Sequence, residues 1–489
     1  MPEAAELEMV VGLEVHCQLA TASKLFCPCP TDPSGVEANA NICPVCTGQP
    51  GTLPVLNAKA VELGFKAALA LGCRLRDVSV FARKNYFYPD LPKGYQISQY
   101  DEPFSSEGRL ALPGDASRSI GIHRIHLEED AGKLLHAVGA KELDHSLVDF
   151  NRAGTPLIEI VSEPDMRSAE EAYQYLTALK AILRYLGVSD CDMEKGEMRC
   201  DANVSVRPRG AQGFGTKVEV KNLNSFKGVR DALEYEFRRQ REVLGEGGRI
   251  EQETRLWDGA RTATMRSKEE AHDYRYLPDP DLPPLSADPA LVERLKAELP
   301  ELPAARRSRF MGQYQLSDYD AGVLTADRAL ADYYEACALA SGGGASGAKT
   351  AANWVATDLL GRLHGAGLPI GRCPIPAERL GGLVALVEKG TLSTKLAREV
   401  FSKMWDTGED PAAIVEVLGI CQVSDEGQVA HWVAAAMGEN PKAVQDLRAG
   451  KERAIGALVG AVMKKSKGKA NPDLVNRLIR ERLSADEGK

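Results

Sequence analysis

The chain has 489 residues, a formal net charge of −9, and 44% hydrophobic, 26% charged and 6% aromatic residues. This length favours two to four domains, because single hydrophobic cores stop growing at roughly 250 to 300 residues. No stretch approaches the roughly 18 unbroken apolar residues of a membrane span, and the acidic start of the chain lacks the basic and apolar parts of a signal peptide. We therefore expect a cytoplasmic protein without a membrane partner. The acidic balance does not by itself indicate a nucleic-acid-binding protein, although it can hide a local basic patch.

Residues 8 to about 280 are dominated by period-two alternation broken by Gly and Pro, which predicts a mainly antiparallel sheet. The clearest helix in this region spans 168–186, where Ser168 and Glu171 form a capping box and Gly187 follows the last turn. Prolines crowd between 278 and 303, and helical patterns follow to the end of the chain.

The predicted fold class is α+β, with three domains. We expect a sheet domain at 1–292 with a cysteine-rich loop at 27–46, an all-helical domain at 293–408 and a small helical tail at 409–489. The glycine-rich stretch 341–350 is not a Walker phosphate loop, because Ala348 separates Gly347 from Lys349. A flexible loop between helices is predicted there instead.

Four of the eleven cysteines form two close pairs on a loop, namely Cys27, Cys29, Cys43 and Cys46. Two close thiolate pairs suit tetrahedral zinc, which can fix a loop too small to have its own core. The sequence therefore predicts a structural zinc knuckle, the alternative being unmetallated cysteines in a loop. The other seven cysteines mostly lie among aliphatic neighbours, where a thiol behaves as a small buried hydrophobe.

Acidic side chains recur on the polar faces of the predicted strands. Glu14 and His16 share one face of strand 10–19, since side chains two residues apart point the same way. Asp201 lies on the polar face of a strand that forms a predicted hairpin with residues 217–221. Two further acidic features are Glu159, which lies in an aliphatic strand, and the run Glu128, Glu129 and Asp130 at a strand end.

For any one strand, a solvated polar face explains this pattern. Taken together, buried and adjacent carboxylates are costly unless cations pair with them. Mg²⁺ is satisfied by a few carboxylates plus phosphate oxygens, and basic side chains can take the remaining phosphate charge. The basic candidates are Lys84, Lys217, Lys221, Arg266 and Arg275. We therefore predict an ATP·Mg²⁺ site for phosphoryl transfer on the antiparallel sheet.

Residues 83–100 concentrate aromatic rings beside basic and amide groups in a chain with few aromatics. Such rings can stack on an adenine or on the terminal base of an RNA. Packing of the same rings into the core explains the segment equally well, so that only its polar members are candidate functional residues.

These segments resemble the B subunits of bacterial aspartyl/glutamyl-tRNA amidotransferases, the GatB/GatE family. The resemblance runs in order along the chain through GLEVH (12–16), KNYFYPDLPKGYQISQYD (84–101), HLEEDAGK (126–133), LVDFNRAGTPLIEIVSEPD (147–165), RCDANVSVR (199–207), EVKNLNSF (219–226), DYRYLPDPDLPP (273–284) and GKANPDLVNRLI (468–479).

The resemblance implies a glutamine synthetase-like catalytic cradle, a helical domain and a helical tail of the YqeY type. It implies a carbon–nitrogen ligase that uses ATP to phosphorylate the side-chain carboxylate of Asp-tRNA(Asn) or Glu-tRNA(Gln). Ammonia from glutamine, released by the amidase partner GatA, then displaces phosphate to give Asn-tRNA or Gln-tRNA, and GatC holds the two large subunits together.

The resemblance also assigns roles to individual residues. Glu14, His16 and Glu129 correspond to the family's magnesium ligands, and Glu128, Glu159 and Asp201 to further acidic positions of that site. Lys84 and Tyr86 lie in the segment near the ammonia entry and the activated carboxylate. The four knuckle cysteines correspond to a zinc-bearing branch of the family.

Lysines concentrate in the tail, where Lys464, Lys465, Lys467 and Lys469 precede a helix that begins near Asn471. Composition alone leaves a solvated lysine loop and an RNA contact equally open. With the resemblance, contact with the tRNA backbone is the favoured interpretation.

Two other functions compete with this one. An archaeal-type GatE enzyme carries a large insertion, for which the tightly spaced motifs leave no room. A non-catalytic, zinc-stabilised tRNA-binding module would not need Glu14, His16, Glu129 and Asp201, which are all present.

Overall fold

In the computed structural model of the chain, the described residues are 6–113, 115–138, 141–267, 271–419, 426–449, 451–466 and 469–486. The chain divides into two compact units, Met1–Ala304 and Ala305–Lys489. The finer division into three domains stays a prediction.

The first unit contains all the described strands of the chain, and nine of them form one large sheet. Its strands are β1 (Leu7–Gln18), β2 (Arg74–Leu75), β3 (Val78–Ser79), β4 (Ala82–Asn85), β5 (Tyr95–Ser98), β6 (Ser105–Leu112), β7 (Asp115–Glu129), β8 (Lys133–Val138), β9 (Lys141–Asp149), β10 (Pro156–Ser162), β11 (Met198–Pro208), β12 (Val218–Leu223), β13 (Glu253–Trp257), β14 (Thr262–Ser267), β15 (Leu277–Pro278) and β16 (Leu285–Ser286). Among the described residues, nine strands form one sheet in the order β14-β13-β12-β11-β1-β10-β7-β6-β2. Within it only β12 and β13 pair in parallel. The predicted α+β class with a mainly antiparallel sheet is confirmed.

The helices of the first unit pack with the sheet around one apolar core. They are α1 (Ala58–Ala70), α2 (Ala169–Tyr185), α3 (Phe226–Gly245) and α4 (Pro289–Glu298). The predicted cap of α2 is confirmed, since the Ser168 hydroxyl accepts from the Glu171 backbone N–H at 3.1 Å. Helices α1 and α3 were not predicted, although Asn57 and Ser225 cap them in the same way. Helix α4 contains the predicted boundary at 292/293 and contacts α1.

The two faces of the sheet differ sharply in polarity. On β1, the side chains of Leu13, Val15 and Cys17 belong to the apolar core, each at most 1% exposed. Glu14 and His16 alternate with them and therefore point to the opposite face. The period-two prediction for this strand is confirmed, and the polar face is the one that carries the candidate site.

From residue 303 onward the described chain is helical. Its helices are α5 (Pro303–Tyr314), α6 (Asp318–Leu324), α7 (Arg328–Ala340), α8 (Ala345–Asn353), α9 (Leu360–Ala366), α10 (Ala377–Glu388), α11 (Thr394–Thr407), α12 (Pro411–Leu418), α13 (Glu426–Glu439), α14 (Pro441–Arg448), α15 (Ala454–Lys465) and α16 (Pro472–Asp486). Side chains from α5 to α12 share one apolar core, and those from α13 to α16 share another. The flexible loop predicted at 341–350 is shorter than expected, because α8 begins at Ala345. Within the described residues, no helix is both long and apolar enough to cross a lipid bilayer.

Candidate active site

A cavity of about 650 Å³ lies on the polar face of the large sheet. Its floor consists of side chains from five consecutive strands of the sheet, in the order β12-β11-β1-β10-β7. Side chains from β4, β5 and the segment 274–276 complete its wall. The cavity thus collects polar residues that are far apart in sequence.

Two histidines and two glutamates meet on the floor of this cavity. His16 on β1 is the register partner of Glu159 on β10, which in turn is the partner of His126 on β7. His16 Nε2 lies 3.3 Å from Glu128 Oε1 and 3.5 Å from Glu159 Oε2. His126 Nε2 lies 3.2 Å from the same Glu159 oxygen. Strand pairing therefore builds a compact four-residue cluster, which we call the His–Glu cluster.

The charges of the His–Glu cluster stabilise one another. Burial alone would lower the pKa of His16, but the carboxylates of Glu159 and Glu128 raise it to about 9. The pKa of His126 is raised against the effect of burial for the same reason. Burial would raise the pKa of Glu159, yet the charges of the two histidines hold it well below its usual range. His16 must therefore lose its proton before its ring nitrogen can act as a metal ligand.

The geometry of this cluster fits a divalent cation. One ligand atom from each of His16, Glu128 and Glu159 lies within 4.8 Å of the other two. Carboxylates are ligands that Mg²⁺ prefers, whereas imidazole is more usual with transition metals. The donor set is therefore suited to Mg²⁺ or Mn²⁺ bound together with phosphate oxygens.

Two further predicted acids line the cavity beside the cluster. Glu14 is the register partner of Asp201 across β1 and β11, and its Oε1 accepts from Asn203 Nδ2 at 2.9 Å. The Asp201 carboxylate forms an ion pair with Lys221 Nζ at 2.5 Å, and Glu219 Oε1 lies 3.5 Å from the same ammonium. The structure thus gathers every predicted acid of the site except Glu129.

The structure does not bring Glu129 into the cavity. Its Oε1 accepts from the Ile97 backbone N–H at 2.9 Å and pairs with the Lys93 ammonium. Glu128 lines the cavity, whereas Glu129, the last residue of β7, is absent from its described lining. This geometry does not support Glu129 as a magnesium ligand, and that role stays a prediction, whereas Glu128 belongs to the described His–Glu cluster.

Lys84 and Tyr86 belong to the wall that covers the floor. Lys84 Nζ lies 4.9 Å from the ring centre of Tyr274 and 5.8 Å from that of Tyr86. Burial would lower the pKa of Lys84, but Tyr276, Glu128 and Glu159 raise it, so the ammonium stays charged. For the Tyr86 hydroxyl, burial acts in the opposite direction and raises the pKa, so Tyr86 stays protonated. This wall therefore presents one fixed positive charge to the acidic floor.

Lys84 apart, two of the four basic residues predicted to bind phosphate line the cavity in the described part of the chain. Lys221 and the exposed Lys217 line the cavity. Arg275 is exposed and is absent from the described lining, and the side chain of Arg266 lies outside the described part of the chain. Phosphate contacts by these two arginines stay predictions.

Two arginines that line the cavity were missed by the sequence analysis. Arg124 stands two residues before His126 on β7, and Arg199 stands two residues before Asp201 on β11. Arg199 also pairs with the buried Asp130 carboxylate at 2.8 Å. The alternation that selected the acids would have found both, had it been continued along each strand.

The four predicted zinc ligands lie together. Each of Cys27, Cys29, Cys43 and Cys46 offers a sulfur within 4.8 Å of the other three. Tetrahedral thiolates about 2.3 Å from zinc are separated by about 3.8 Å, so this set needs only small adjustments. A hydrogen bond with Cys27 and the Cys43 backbone N–H lower the pKa of Cys46 in spite of burial. The arrangement fits a closed structural metal site.

The tail lysines differ in their surroundings. Lys464 and Lys465 are exposed at the end of α15, and Lys465 Nζ pairs with Glu439 at 2.5 Å. Lys469 is half-buried and donates to the Gly419 carbonyl at 3.0 Å, while Lys467 lies outside the described residues. Lysines at a helix end also complement its dipole, so this geometry alone does not require RNA.

Comparison with known proteins agrees with the two-part architecture. The family model described as GatB/GatE catalytic domain matches residues 9–293, and the one described as GatB domain matches residues 332–483. A protein of Carboxydothermus hydrogenoformans, named as the B subunit of an aspartyl/glutamyl-tRNA(Asn/Gln) amidotransferase, is 54% identical over 98% of this chain and 99% of its own length. Proteins with that name from Elusimicrobium minutum and Moorella thermoacetica are 54% and 53% identical, over 98% of this chain and 99% and 100% of their own lengths. The chain belongs to the GatB/GatE family.

Proposed function

We propose that the chain is the ATP-dependent subunit of a tRNA-dependent amidotransferase that acts on Asp-tRNA(Asn), Glu-tRNA(Gln) or both. The observation that carries this proposal is the His–Glu cluster on the floor of a large polar cavity that also presents Lys84. Relatives that cover nearly the whole chain are named as B subunits of such enzymes, which favours this type over the GatE type.

The proposed reaction has two steps. An oxygen of the aminoacyl side-chain carboxylate attacks the γ-phosphorus of ATP, and ADP leaves. Ammonia then attacks the activated acyl carbon, and inorganic phosphate leaves with the carboxylate oxygen. The first step is needed because a carboxylate is a poor acyl donor to ammonia until one of its oxygens has become part of a phosphate leaving group.

In this proposal, His16 and the acidic residues of the cavity bind the metal ion, and the basic residues bind phosphate and the substrate carboxylate. His16, Glu128 and Glu159 would hold Mg²⁺, which supplies charge stabilisation to the transferring phosphoryl group. Glu14 and Asp201 extend the acidic floor beside them. Lys84, Lys217 and Arg124 would contact ATP phosphates and the substrate carboxylate, while Lys221 and Arg199 would add positive charge from their ion pairs with Asp201 and Asp130.

Other components complete the proposed enzyme. Ammonia comes from glutamine through a GatA partner, and GatC joins the two large subunits in a cytoplasmic heterotrimer. Zinc held by the knuckle cysteines would stabilise the loop 27–46 without taking part in the reaction.

The tail is proposed to contact the tRNA backbone through Lys464, Lys465, Lys467 and Lys469. Exposure of Lys464 and Lys465 on α15 supports this. Substituting these two lysines by Glu should raise the KM for charged tRNA about tenfold at low salt and leave the KM for ATP unchanged. An unchanged KM for tRNA would remove the tail from the tRNA-binding surface.

Reconstitution with the GatA and GatC partners tests the proposed function. Wild-type complex, given glutamine, ATP and Mg²⁺, should convert Glu-tRNA(Gln) or Asp-tRNA(Asn) to the amidated form, and omission of ATP should stop it. Assaying both charged tRNAs identifies the substrate. Amidation without ATP, or ATP hydrolysis that does not depend on charged tRNA, would contradict the proposal.

A further inference from the structure

A lysine is completely buried beneath the cysteine knuckle. Lys24 is 0% exposed, and its Nζ donates to the backbone carbonyls of Asn41 at 2.8 Å and Phe150 at 3.3 Å. Its third neighbour is the Cys46 sulfur, at 3.7 Å. All three ammonium donors therefore have an acceptor, and one of these acceptors is a predicted zinc ligand.

This arrangement is unusual for a side chain whose only task is to fill space. Removing an ammonium from water is costly unless charge and hydrogen bonds compensate, and an apolar side chain of equal length would avoid that cost. Zn²⁺ with four thiolates carries a net charge of −2, so a cation in contact with one thiolate offsets half of it. The contact with the Cys46 sulfur thus gives the charge of Lys24 a physical role.

Lys24 also lies where the knuckle meets the loop 149–155. On the knuckle side, the Asn41 backbone N–H donates to Asn151 Oδ1 at 2.8 Å, and Asn151 Nδ2 donates to the Glu37 carbonyl at 2.7 Å. On the sheet side, Gly154 N–H donates to the Asp130 carbonyl at 2.8 Å. The Asp130 carboxylate holds Arg199, a residue of the cavity lining. Hydrogen bonds, together with the short stretches of chain between them, therefore join the knuckle to the edge of the cavity.

We infer that Lys24 is a positioning residue of the zinc knuckle: its ammonium stabilises the metal-bound thiolate of Cys46 and fastens the knuckle to the loop 149–155. The inference rests on the proposed zinc site. Partners that donate to metal ligands typically contribute 10–100-fold in metal affinity. Loss of the Lys24 ammonium should therefore be visible in zinc retention, separately from catalysis.

The test compares zinc release from full-length Lys24→Met and wild-type chains. Each zinc-loaded protein is mixed with excess 4-(2-pyridylazo)resorcinol, and the coloured zinc complex is followed with time and at equilibrium. Lys59→Met is the matched control, since Lys59 is a nearby exposed lysine that pairs only with Glu62 among the contacts described. We expect 10–100-fold weaker zinc retention in Lys24→Met and wild-type retention in the control.

Zinc retention in Lys24→Met within twofold of the Lys59→Met control would overturn the inference while leaving the zinc site intact. A wild-type chain that binds no zinc would overturn the zinc site itself and the role of Lys24 with it. If Lys24→Met does not fold, Lys24→Gln, which keeps a donor but no charge, decides in its place. Faster release from that variant supports the inference, and release at the wild-type rate overturns it.

Discussion

The chain contains two candidate metal sites that are assembled in opposite ways. The knuckle takes its four ligands from one loop, within twenty residues between Cys27 and Cys46. The His–Glu cluster takes its ligands from β1, β7 and β10, which only strand pairing brings together. The soft thiolate set suits zinc and a closed structural site, whereas the carboxylate-rich set faces an open cavity and suits a hard cation with phosphate. Ligand chemistry and access thus favour a structural role for the knuckle and a catalytic role for the His–Glu cluster, as proposed above.

The largest expected effect is the loss of activity in Glu128→Gln. This substitution removes a charged ligand atom from the His–Glu cluster but keeps its shape. Metal stabilisation of a transferring phosphoryl group contributes several kcal/mol, so kcat for ATP-dependent amidation should fall at least about 10³-fold. The reconstituted complex with charged tRNA provides the measurement.

Glu129→Gln is the matched control for Glu128→Gln. The Mn²⁺ affinity of both variants is measured by electron paramagnetic resonance and compared with that of the wild type. Because the Glu129 carboxylate contacts Lys93 and the Ile97 N–H rather than the cluster, its replacement should change Mn²⁺ affinity by less than about threefold. Glu128→Gln should weaken Mn²⁺ binding by about two orders of magnitude or more, as expected for a lost ligand. Equal losses in the two variants would place Glu129 among the ligands and contradict the structure.

The second prediction concerns the knuckle. Replacing Cys43 and Cys46 together by Ser should abolish zinc binding and unfold the loop 27–46, because this loop has almost no apolar core of its own. Metal analysis and limited proteolysis provide the measurements, with an expected rise of about tenfold or more in cleavage within the loop. Mn²⁺ affinity of the cavity should stay within about threefold of wild type. Loss of cavity metal with intact folding would break the separation between the two sites.

The smallest predicted effect is a pH-dependent change in stability of the metal-free protein. Since the folded-state pKa of His16 is raised to about 9 from 6.5, its protonation stabilises the fold fully below about pH 6.5. This contribution is lost as the pH rises through 9, and it is on the order of 1–3 kcal/mol. Urea unfolding in EDTA should show a larger loss of stability between pH 7 and 9.5 for wild type than for His16→Gln. Identical profiles would show that the cluster does not hold a proton on His16.

The knuckle and the polar strand faces could be predicted from sequence because each depends on spacing within one segment. The choice between Glu128 and Glu129 could not, since it depends on tertiary contacts at the end of β7, where Lys93 and the Ile97 N–H hold the Glu129 carboxylate. Likewise, nothing local shows that Glu159 lies opposite both His16 and His126, which is a matter of sheet register. Helices α1 and α3 were missed because alternation in the surrounding strands dominated the pattern, although their caps at Asn57 and Ser225 were visible.

Transfer of isotopic oxygen tests the central claim most directly. Glu-tRNA(Gln) or Asp-tRNA(Asn) carrying ¹⁸O in its side-chain carboxylate is amidated by the reconstituted complex, and the released phosphate is examined by mass spectrometry. Activation of the carboxylate by phosphorylation predicts one ¹⁸O atom in each phosphate released per amidated product, and neither product nor labelled phosphate with Glu128→Gln. Amidated tRNA formed with unlabelled phosphate would contradict the account.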